Sequence, residues 1–267
     1  MTQRIDVNCD LGESFGNWQM GDDEALLAGI STANVACGFH GGDPVTMVRT
    51  VERALELGVV VGAHPGLPDL LGFGRRVIEI SPEDAYAYVV YQAGALDAIL
   101  RARDAQLHHV KPHGALYTML NDQEELAAAV ADAVEAVMPA PALYWPAGAE
   151  DGALVQEAGR RGFRIVLEFY PDLVYTPAGR IVVERTKRPI GAELAVERLA
   201  RFLQEGIAQT PDGEAVQLVA ESICIHGDGP TAPQIVAAIR EHLEASGCSI
   251  EAVGAHAHTG VSKKMAR

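Results

Sequence analysis

Short apolar segments alternate with longer amphipathic segments along most of the 267 residues. The apolar segments are rich in Val, Ile and Ala, which is typical of strands buried on both faces. The amphipathic segments repeat their apolar positions every three or four residues, as helices do. The pattern predicts strands at 4–8, 32–36, 59–61, 107–110, 142–145, 165–169 and 216–225, with helical segments between them.

The predicted helices begin with recognisable capping residues. Asp43 precedes Pro44, which is the usual order of an N-cap and a first helical residue. Ser81 and Pro82 repeat that order at the start of the next helix, which we expect to run to about residue 104. Helix capping therefore explains Asp43 and Pro44 better than a chemical role does.

Polar residues follow five of the seven predicted strands, at the point where each strand ends among glycines or prolines. In an open parallel sheet only the strands beside the switch point contribute to one site, whereas a barrel gathers every strand end. The sequence therefore predicts an α/β fold, a single-domain distorted (β/α) barrel of about seven parallel strands over residues 1–253. Residues 254–267 show no periodicity, and we expect a disordered tail there.

The strand ends supply a set of candidate catalytic residues. Carboxylates and imidazoles at one mouth suit general acid–base catalysis, and they also suit a divalent ion of the zinc, manganese or cobalt type. No local metal signature such as HExxH is present, and a single histidine after a strand can be an ordinary polar loop residue. The predicted catalytic set is Asp10, Glu13, His40, His64, His113 and Asp228.

Four further residues are candidates for binding substrate or phosphate. Lys111 directly follows the fourth strand, where it can hold an anion or neutralise Asp10 and Asp228. Arg75 and Arg76 end a loop rich in Gly and Pro, and they can bind an anion or fix the loop. His226 follows the seventh strand. The predicted binding set is Lys111, Arg75, Arg76 and His226.

Residues 171–190 interrupt the alternation of strands and helices. Two short apolar segments, 174–176 and 181–183, flank a turn-like Pro-Ala-Gly-Arg sequence and predict a hairpin. This excursion carries a local basic cluster in an acidic protein, and it can serve as a lid or as a partner-docking arm. The cluster consists of Arg180, Arg185, Lys187 and Arg188.

Composition and charge exclude several classes of function. The formal net charge is -15, from 21 Lys and Arg against 36 Asp and Glu, so neither nucleic acid nor a membrane is an expected partner. No apolar run has the length of a signal peptide core or a membrane span, which predicts a cytoplasmic protein. The four cysteines form no CxxC pair, and we expect buried, reduced thiols.

No nucleotide-binding loop of the GxxxxGK[ST] or GxGxxG kind is present. Any ATP site must therefore be unconventional or shared with another chain.

Five ordered segments resemble the LamB/YcsF family, and together they span nearly all of residues 4–250. They read NCDLGESFG from Asn8, ACGFHGGDP from Ala36, GAHPGLPDLLGFGRR from Gly62, HVKPHGALY from His109 and ICIHGD from Ile223. The resemblance implies a barrel of the glycoside hydrolase/deacetylase type. It also implies ATP-dependent opening of 5-oxo-L-proline (pyroglutamate) to L-glutamate, in a 5-oxoprolinase complex with two further subunits, B and C.

The resemblance also implies a metal site, because related deacetylase-like barrels bind a metal through an Asp after the first strand and two later His. By position these residues are Asp10, His64 and His113, with His40 as a fourth candidate. The chain departs from the expected Ala-Asp-Arg after the sixth strand, where it has Pro171-Asp172-Leu173. Two alternatives stay open: a metal-dependent amidase or deacetylase acting on an N-acyl sugar, and a non-catalytic substrate-binding subunit.

Overall fold

Parallel strands and helices alternate in the computed structural model, which describes residues 4–182 and 189–254. The strands are β1 Arg4–Leu11, β2 Thr32–Ala36, β3 Val60–His64, β4 Ala142–Pro146, β5 Arg164–Phe169, β6 Ile207–Gln209, β7 Ala215–Gln217, β8 Ser222–Ile225 and β9 Ser249–Ile250. The helices are α1 Asp23–Leu27, α2 Pro44–Glu56, α3 Pro82–Arg101, α4 Gly114–Asp122, α5 Glu124–Val137, α6 Ala153–Arg161, α7 Ala192–Glu205 and α8 Ala232–Ala245.

The main sheet is parallel and follows the order β3-β2-β1-β8-β5-β4, with β9 added beside β1. Its two outer strands are joined through Val110, which forms single parallel bridges to Ala63 of β3 and to Leu143 of β4. The predicted distorted barrel with seven strand positions is therefore confirmed. The fourth position is reduced from the expected strand at 107–110 to one bridged residue.

One other expectation about the elements needs correction. The predicted strand at 216–225 is two strands, because the chain leaves the barrel between them and Val219 is 78% exposed. The first of these, β7, pairs antiparallel with β6 in a small separate hairpin. Helix α4 lacks the start signals that mark the predicted helices, and it begins directly at Gly114.

The expected helix starts are confirmed. Asp43 Oδ1 accepts hydrogen bonds from the backbone N–H groups of Val45 and Thr46, at 2.9 and 2.8 Å. Ser81 and Asp84 form a reciprocal capping box at the start of α3. Both helices place a proline in their first turn, where its missing N–H costs no hydrogen bond.

The interior of the barrel is polar rather than apolar. Asp6, Asn8 and Asp10 alternate along β1, and their side chains bond to groups on β2 and β8 and to Lys111. The intervening β1 residues belong to the large hydrophobic core that lies between strands and helices. Since successive strand side chains point to opposite faces, β1 separates an apolar outer layer from a polar channel.

The predicted hairpin in the 171–190 excursion is present as one antiparallel bridge between Tyr175 and Ile181. Arg180 bonds to Asn121 and Asp151, whereas the other three residues of the predicted basic cluster lie outside the described residues. The predicted tail lies outside them as well, apart from Gly254. All four cysteines are free, and three are buried, as expected. Among the described residues, no helix has the length and apolar character needed to cross a bilayer.

Candidate functional site

The carboxyl ends of the parallel strands meet at one mouth of the barrel, which brings the predicted residues together. Asp10 lies near the end of β1, His64 ends β3, and His113 follows Val110 as the N-cap of α4. A cavity opens at this mouth, with polar groups on its floor and an apolar wall. Its lining includes Asp10, His64, Arg75, Lys111, His113 and His226, together with Tyr117, Trp145, Tyr170, Leu173 and Ile181.

Three buried histidines and one buried carboxylate form a compact cluster beside the cavity. Glu13, His40, His64 and His113 each offer a ligand atom, and these atoms lie within 4.8 Å of one another. The rings of His40 and His113 stack at 3.7 Å, whereas His64 meets His113 edge-on at 4.8 Å. Glu13 Oε1 lies 3.5 Å from His40 Nε2 and 4.0 Å from His113 Nδ1.

The hydrogen bonds assign the tautomers of two of these rings. His64 Nδ1 lies 2.6 Å from the carbonyl of Lys111, and His113 Nε2 lies 2.8 Å from the carbonyl of Phe73. A carbonyl only accepts, so both nitrogens must carry the proton. In neutral rings the other two nitrogens then carry lone pairs, and these two atoms, His64 Nε2 and His113 Nδ1, face each other at 2.9 Å.

A cation between these two lone pairs would relieve their repulsion. Burial lowers the pKa of His64 to about 4 and that of His113 well below its ordinary value, so a proton is disfavoured there at neutral pH. Both nitrogens of His40 are buried without a hydrogen-bond partner in the described part of the chain. Neutral imidazoles and a carboxylate are the donor set of zinc and related ions, so the residues fit a divalent metal.

The family resemblance implies Asp10, His64 and His113 as metal donors, and the cluster adds Glu13 to these candidates. Glu13 belongs to the cluster, whereas Asp10 Oδ2 lies 3.6 Å from His64 Nε2 and Asp10 Oδ1 is bonded to Lys111 and Asn34. An imidazole binds an ion in its own ring plane, so the stacked rings of His40 and His113 do not both face one ion. The geometry favours Glu13, His64 and His113 as the holders.

Lys111 lies at the floor of the cavity and is surrounded by acceptors. Its Nζ is 2.9 Å from Asp10 Oδ1, 3.0 Å from Cys224 Sγ and 3.2 Å from Glu168 Oε1. Burial raises the pKa of Asp10, but the ammonium of Lys111 and the nearby imidazoles of His64 and His226 together outweigh burial and hold that pKa well below its usual value. Burial likewise lowers the pKa of Lys111, but the adjacent anions outweigh it and raise that pKa well above the usual value.

The two predicted arginines have different surroundings. Arg75 lines the cavity and forms a largely buried ion pair with Asp228, with Nη2 and Oδ2 2.7 Å apart. Arg75 therefore neutralises Asp228, while the ion pairs of Lys111 are with Asp10 and Glu168. Arg76 does not line the cavity, and it forms an ion pair with buried Asp69 that fixes the loop after β3.

His226 lines the other side of the cavity and is held by a carboxylate. Its backbone N–H and its ring Nδ1 both approach Asp172 Oδ2, at 3.2 and 3.0 Å. The ring also stacks on Tyr170, with centroids 5.2 Å apart, and the Tyr170 hydroxyl donates to Glu168 at 2.7 Å. Asp172 thus supplies a polar contact within the segment that departs from the expected family sequence.

Sequence reasoning did not single out Glu168, Asp172 or Asn34. Glu168 and Asn34 lie within strands, whereas the predicted set came from residues at or after the strand ends. The available signal was a charged residue in an otherwise apolar strand, since such a residue is buried only when it is paired. Asp172 follows β5 by three residues and carried the same strand-end signal as Asp10.

Fold and site together define a class: a parallel α/β barrel with a buried imidazole, carboxylate and ammonium site at the carboxyl ends of its strands. The chain matches the model of the LamB/YcsF family over residues 5–258. It therefore belongs to the LamB/YcsF family.

Curated relatives and one solved structure are similar to nearly the whole chain. It is 45% identical over 254 residues to the A subunit of 5-oxoprolinase from Bordetella parapertussis, covering 94% of this chain and 100% of the relative. It is 44% identical to the same subunit from Bacillus cytotoxicus, covering 91% and 96%. The crystal structure of a lactam utilization protein from Thermus thermophilus matches with a TM-score of 0.85 and 42% identity, covering 94% and 100%.

Proposed function

We propose that the chain is the A subunit of an ATP-dependent 5-oxoprolinase, which opens the lactam of 5-oxo-L-proline to give L-glutamate. The observation that carries this proposal is the ionised Asp10 beside buried neutral imidazoles in a cavity at the strand ends. Relatives covered over at least 96% of their own length have the name of this subunit. That name supports partner subunits, which we take to be B and C.

The lactam is a stable amide, so water needs both a base and an activated carbonyl to attack it. ATP can activate the carbonyl by phosphorylating its oxygen, which gives γ-glutamyl phosphate after water attack and ring opening. The chain has no recognisable nucleotide loop, so we assign ATP to an unconventional site or to one of the partner subunits. Asp10, which the ammonium of Lys111 keeps ionised, is the candidate base for the water.

The cavity suits the substrate in shape and charge. The apolar wall formed by Trp145, Leu173 and Ile181 can pack against the ring. Arg75 is the candidate partner of the substrate carboxylate, and Lys111 can stabilise negative charge on the carbonyl oxygen.

Glu13, His64 and His113 would hold a divalent metal, with His40 beside them. The chemistry that such an ion supplies when bound is polarisation of a carbonyl or phosphoryl oxygen. The protein's own contribution is to fix the tautomers of His64 and His113 through the Lys111 and Phe73 carbonyls.

The proposal is tested by assaying the chain with subunits B and C for glutamate formed from 5-oxoproline and ATP. We expect His64→Ala and His113→Ala to lower the rate at least 100-fold, in the range of lost acid–base or ligand groups. The control is His242→Ala in the last turn of α8, which lies outside the site and should keep the rate. Full activity in both site variants would show that the assigned site is wrong.

The metal-competent cluster favours one alternative function, a metal-dependent amidase or deacetylase that acts without ATP. In that case the isolated chain would purify with a stoichiometric metal ion. It would release the product of an N-acyl sugar without ATP, and a chelator would abolish that activity.

A further inference from the structure

Ring opening requires a proton at the lactam nitrogen, because an amide anion is far too basic to leave. The following inference rests on the proposed function and concerns the group that supplies this proton. The donor must line the cavity, must carry a transferable proton at neutral pH and must lie where the nitrogen can reach it.

Most titratable groups of the cavity do not meet these conditions. His64 and His113 direct their N–H groups at backbone carbonyls, away from the space between them. Lys111 is held by two carboxylates, which make its ammonium a weak acid, and Asp10 is ionised.

The tyrosines and Arg75 are also unsuitable donors. Tyr144 donates to Asp6 and Tyr170 donates to Glu168, while burial raises the pKa of Tyr117 to about 12. Arg75 does not serve either, since guanidinium groups keep their protons in proteins.

His226 meets the conditions. Its Nδ1–H is directed at Asp172 Oδ2, and its ring is fixed between that carboxylate and the face of Tyr170. No hydrogen bond within the described residues engages its second nitrogen, Nε2. Because Asp172 engages Nδ1, Nε2 is the ring atom left to exchange a proton with a group in the cavity.

The position of His226 in the barrel suits this role. Around the barrel the strands follow the order β1, β2, β3, Val110, β4, β5 and β8. His64 and His113 come from β3 and the segment after Val110, whereas His226 and Asp172 follow β8 and β5, on the far side. Strand β1 pairs with β8 and places Cys9 opposite Ile225, so Asp10 and His226 lie at neighbouring strand ends and can face the adjacent carbonyl carbon and nitrogen of one lactam.

We propose that His226 is the catalytic acid that protonates the lactam nitrogen, and that Asp172 is the residue that positions it. Water adds its oxygen to the carbonyl carbon and gives a proton to Asp10. The C–N bond of the phosphorylated lactam then breaks, its electron pair goes to nitrogen, and that nitrogen takes the proton from His226 Nε2. The added hydroxyl forms the C=O bond of γ-glutamyl phosphate and releases its remaining proton to solvent. His226 is left neutral and Asp10 protonated, and solvent exchange restores both groups.

The experiment uses the assembled enzyme with subunits B and C, ATP and 5-oxoproline. His226→Gly should lower the rate of glutamate formation by about 10²- to 10⁴-fold, which is the usual contribution of a general acid. Added imidazole should restore part of the rate. With a series of substituted imidazoles, the restored rate should depend on the acidity of the imidazolium, which a merely structural filling of the space would not produce.

A second pair of variants keeps the result interpretable if the glycine variant folds poorly. His226→Gln should lose as much activity as His226→Gly, and Asp172→Asn should lose roughly 10- to 100-fold, as orienting partners of functional histidines do. Added imidazole should also raise the rate of Asp172→Asn far less than that of His226→Gly, because the His226 ring still fills the site in Asp172→Asn.

The outcomes separate this inference from the proposed function. If the unsubstituted complex releases no glutamate, the proposed function fails and this inference fails with it. If that complex is active and His226→Gln keeps its rate, or if the rescue is independent of imidazole acidity, the proton donor is another group and this inference alone is overturned.

Discussion

Three charged side chains share the interior of the barrel at the floor of the cavity. Asp10 and Glu168 both contact the ammonium of Lys111, and all three are buried. Buried charges are tolerated only when they are paired, and removing one partner leaves the others uncompensated. The cluster is therefore sensitive to the loss of Lys111, whatever its chemical role.

We expect Lys111→Met to lower the free energy of unfolding by about 3 to 5 kcal/mol, the usual cost of breaking a buried ion pair. Urea unfolding monitored by circular dichroism measures this change. The double variant Asp10→Asn with Lys111→Met should recover part of the loss, because it removes one of the unpaired anions. Arg101→Met is the matched control, since its pair with Asp97 lies at the surface and should contribute little. An unchanged urea midpoint for Lys111→Met would contradict the buried pairing.

The buried His109 should make the free energy of unfolding depend on pH. Burial, and then the neighbouring His108, lower the pKa of His109 well below its ordinary value. Between an unfolded pKa of about 6.5 and the depressed folded pKa, only the unfolded chain binds the proton, so stability falls as the pH falls. Below the folded pKa both states bind it, and the loss stops.

We expect His109→Gln to reduce by one the number of protons that the chain takes up on unfolding. Between pH 7 and pH 5 the wild type should lose about 2 kcal/mol more stability than the variant does, from urea unfolding at each pH. The glutamine can keep the hydrogen bond to Asn34 that His109 Nε2 makes at 2.6 Å. Equal losses in both proteins would show that His109 titrates normally in the folded state.

At the scale of residues, sequence reasoning was informative about strand ends and uninformative about strand interiors. His40, His64 and His113 could be grouped because glycine or proline beside each of them marks the end of a strand. Their tautomers and their mutual contacts depend on backbone carbonyls from other segments, such as that of Phe73, so no local pattern contains them. Glu168 has the same limitation, since its partner Lys111 is 57 residues away in the chain.

Gly62 in β3 and Gly94 in α3 differ in the space around them. A Cβ atom at Gly62 would lie 2.1 Å from a ring atom of buried His109, whereas a Cβ atom at Gly94 would have no atom within 4 Å. Gly62 lies within β3 and so permits the approach of the histidine, while Gly94 lies within helix α3, where glycine is unfavourable.

We therefore expect opposite effects of one chemical change at these two positions. Gly94→Ala should stabilise the protein by about 0.5 to 1 kcal/mol, because alanine favours the helix and meets no obstacle. Gly62→Ala should destabilise it by more than about 2 kcal/mol, in the range of overpacked cores. Thermal unfolding of both variants measures the difference, and a gain of stability in Gly62→Ala would contradict the packing at β3.

At the scale of elements, the errors of sequence reasoning have a common cause. Helix α4 begins at Gly114 with φ +53° and without a side-chain cap, so the usual start signal is missing. The fourth strand position extends no further than Lys111 because Pro112 has no N–H and because the chain turns at once into α4. In both cases the local sequence preference is outweighed by the position of His113, which is the N-cap of α4 and part of the site.

The whole molecule depends on how the barrel closes. Seven strand positions and a barrel could be predicted from the rhythm of apolar segments and from the polar strand ends. The hydrogen bonds that close the barrel could not be predicted, because they join segments far apart in the chain. The Val110 N–H donates to the Ala142 carbonyl at 2.9 Å, and the Tyr144 N–H donates to the Val110 carbonyl at 3.1 Å. On the other side the Lys111 N–H donates to the Ala63 carbonyl at 2.9 Å.

These bonds predict that the single-residue fourth position is a true part of the barrel rather than an open seam. In native-state hydrogen exchange, the amides of Val110, Lys111 and Tyr144 should exchange as slowly as those of β1, because breaking them requires opening the barrel. The hairpin of β6 and β7 is the internal control, since it lies apart from the main sheet and should exchange faster. If the Val110 amide exchanged at the rate of the hairpin while β1 stayed protected, the barrel would open at this seam. The polar interior, including Lys111 and its two carboxylates, would then be accessible to water from the side and not only from the mouth.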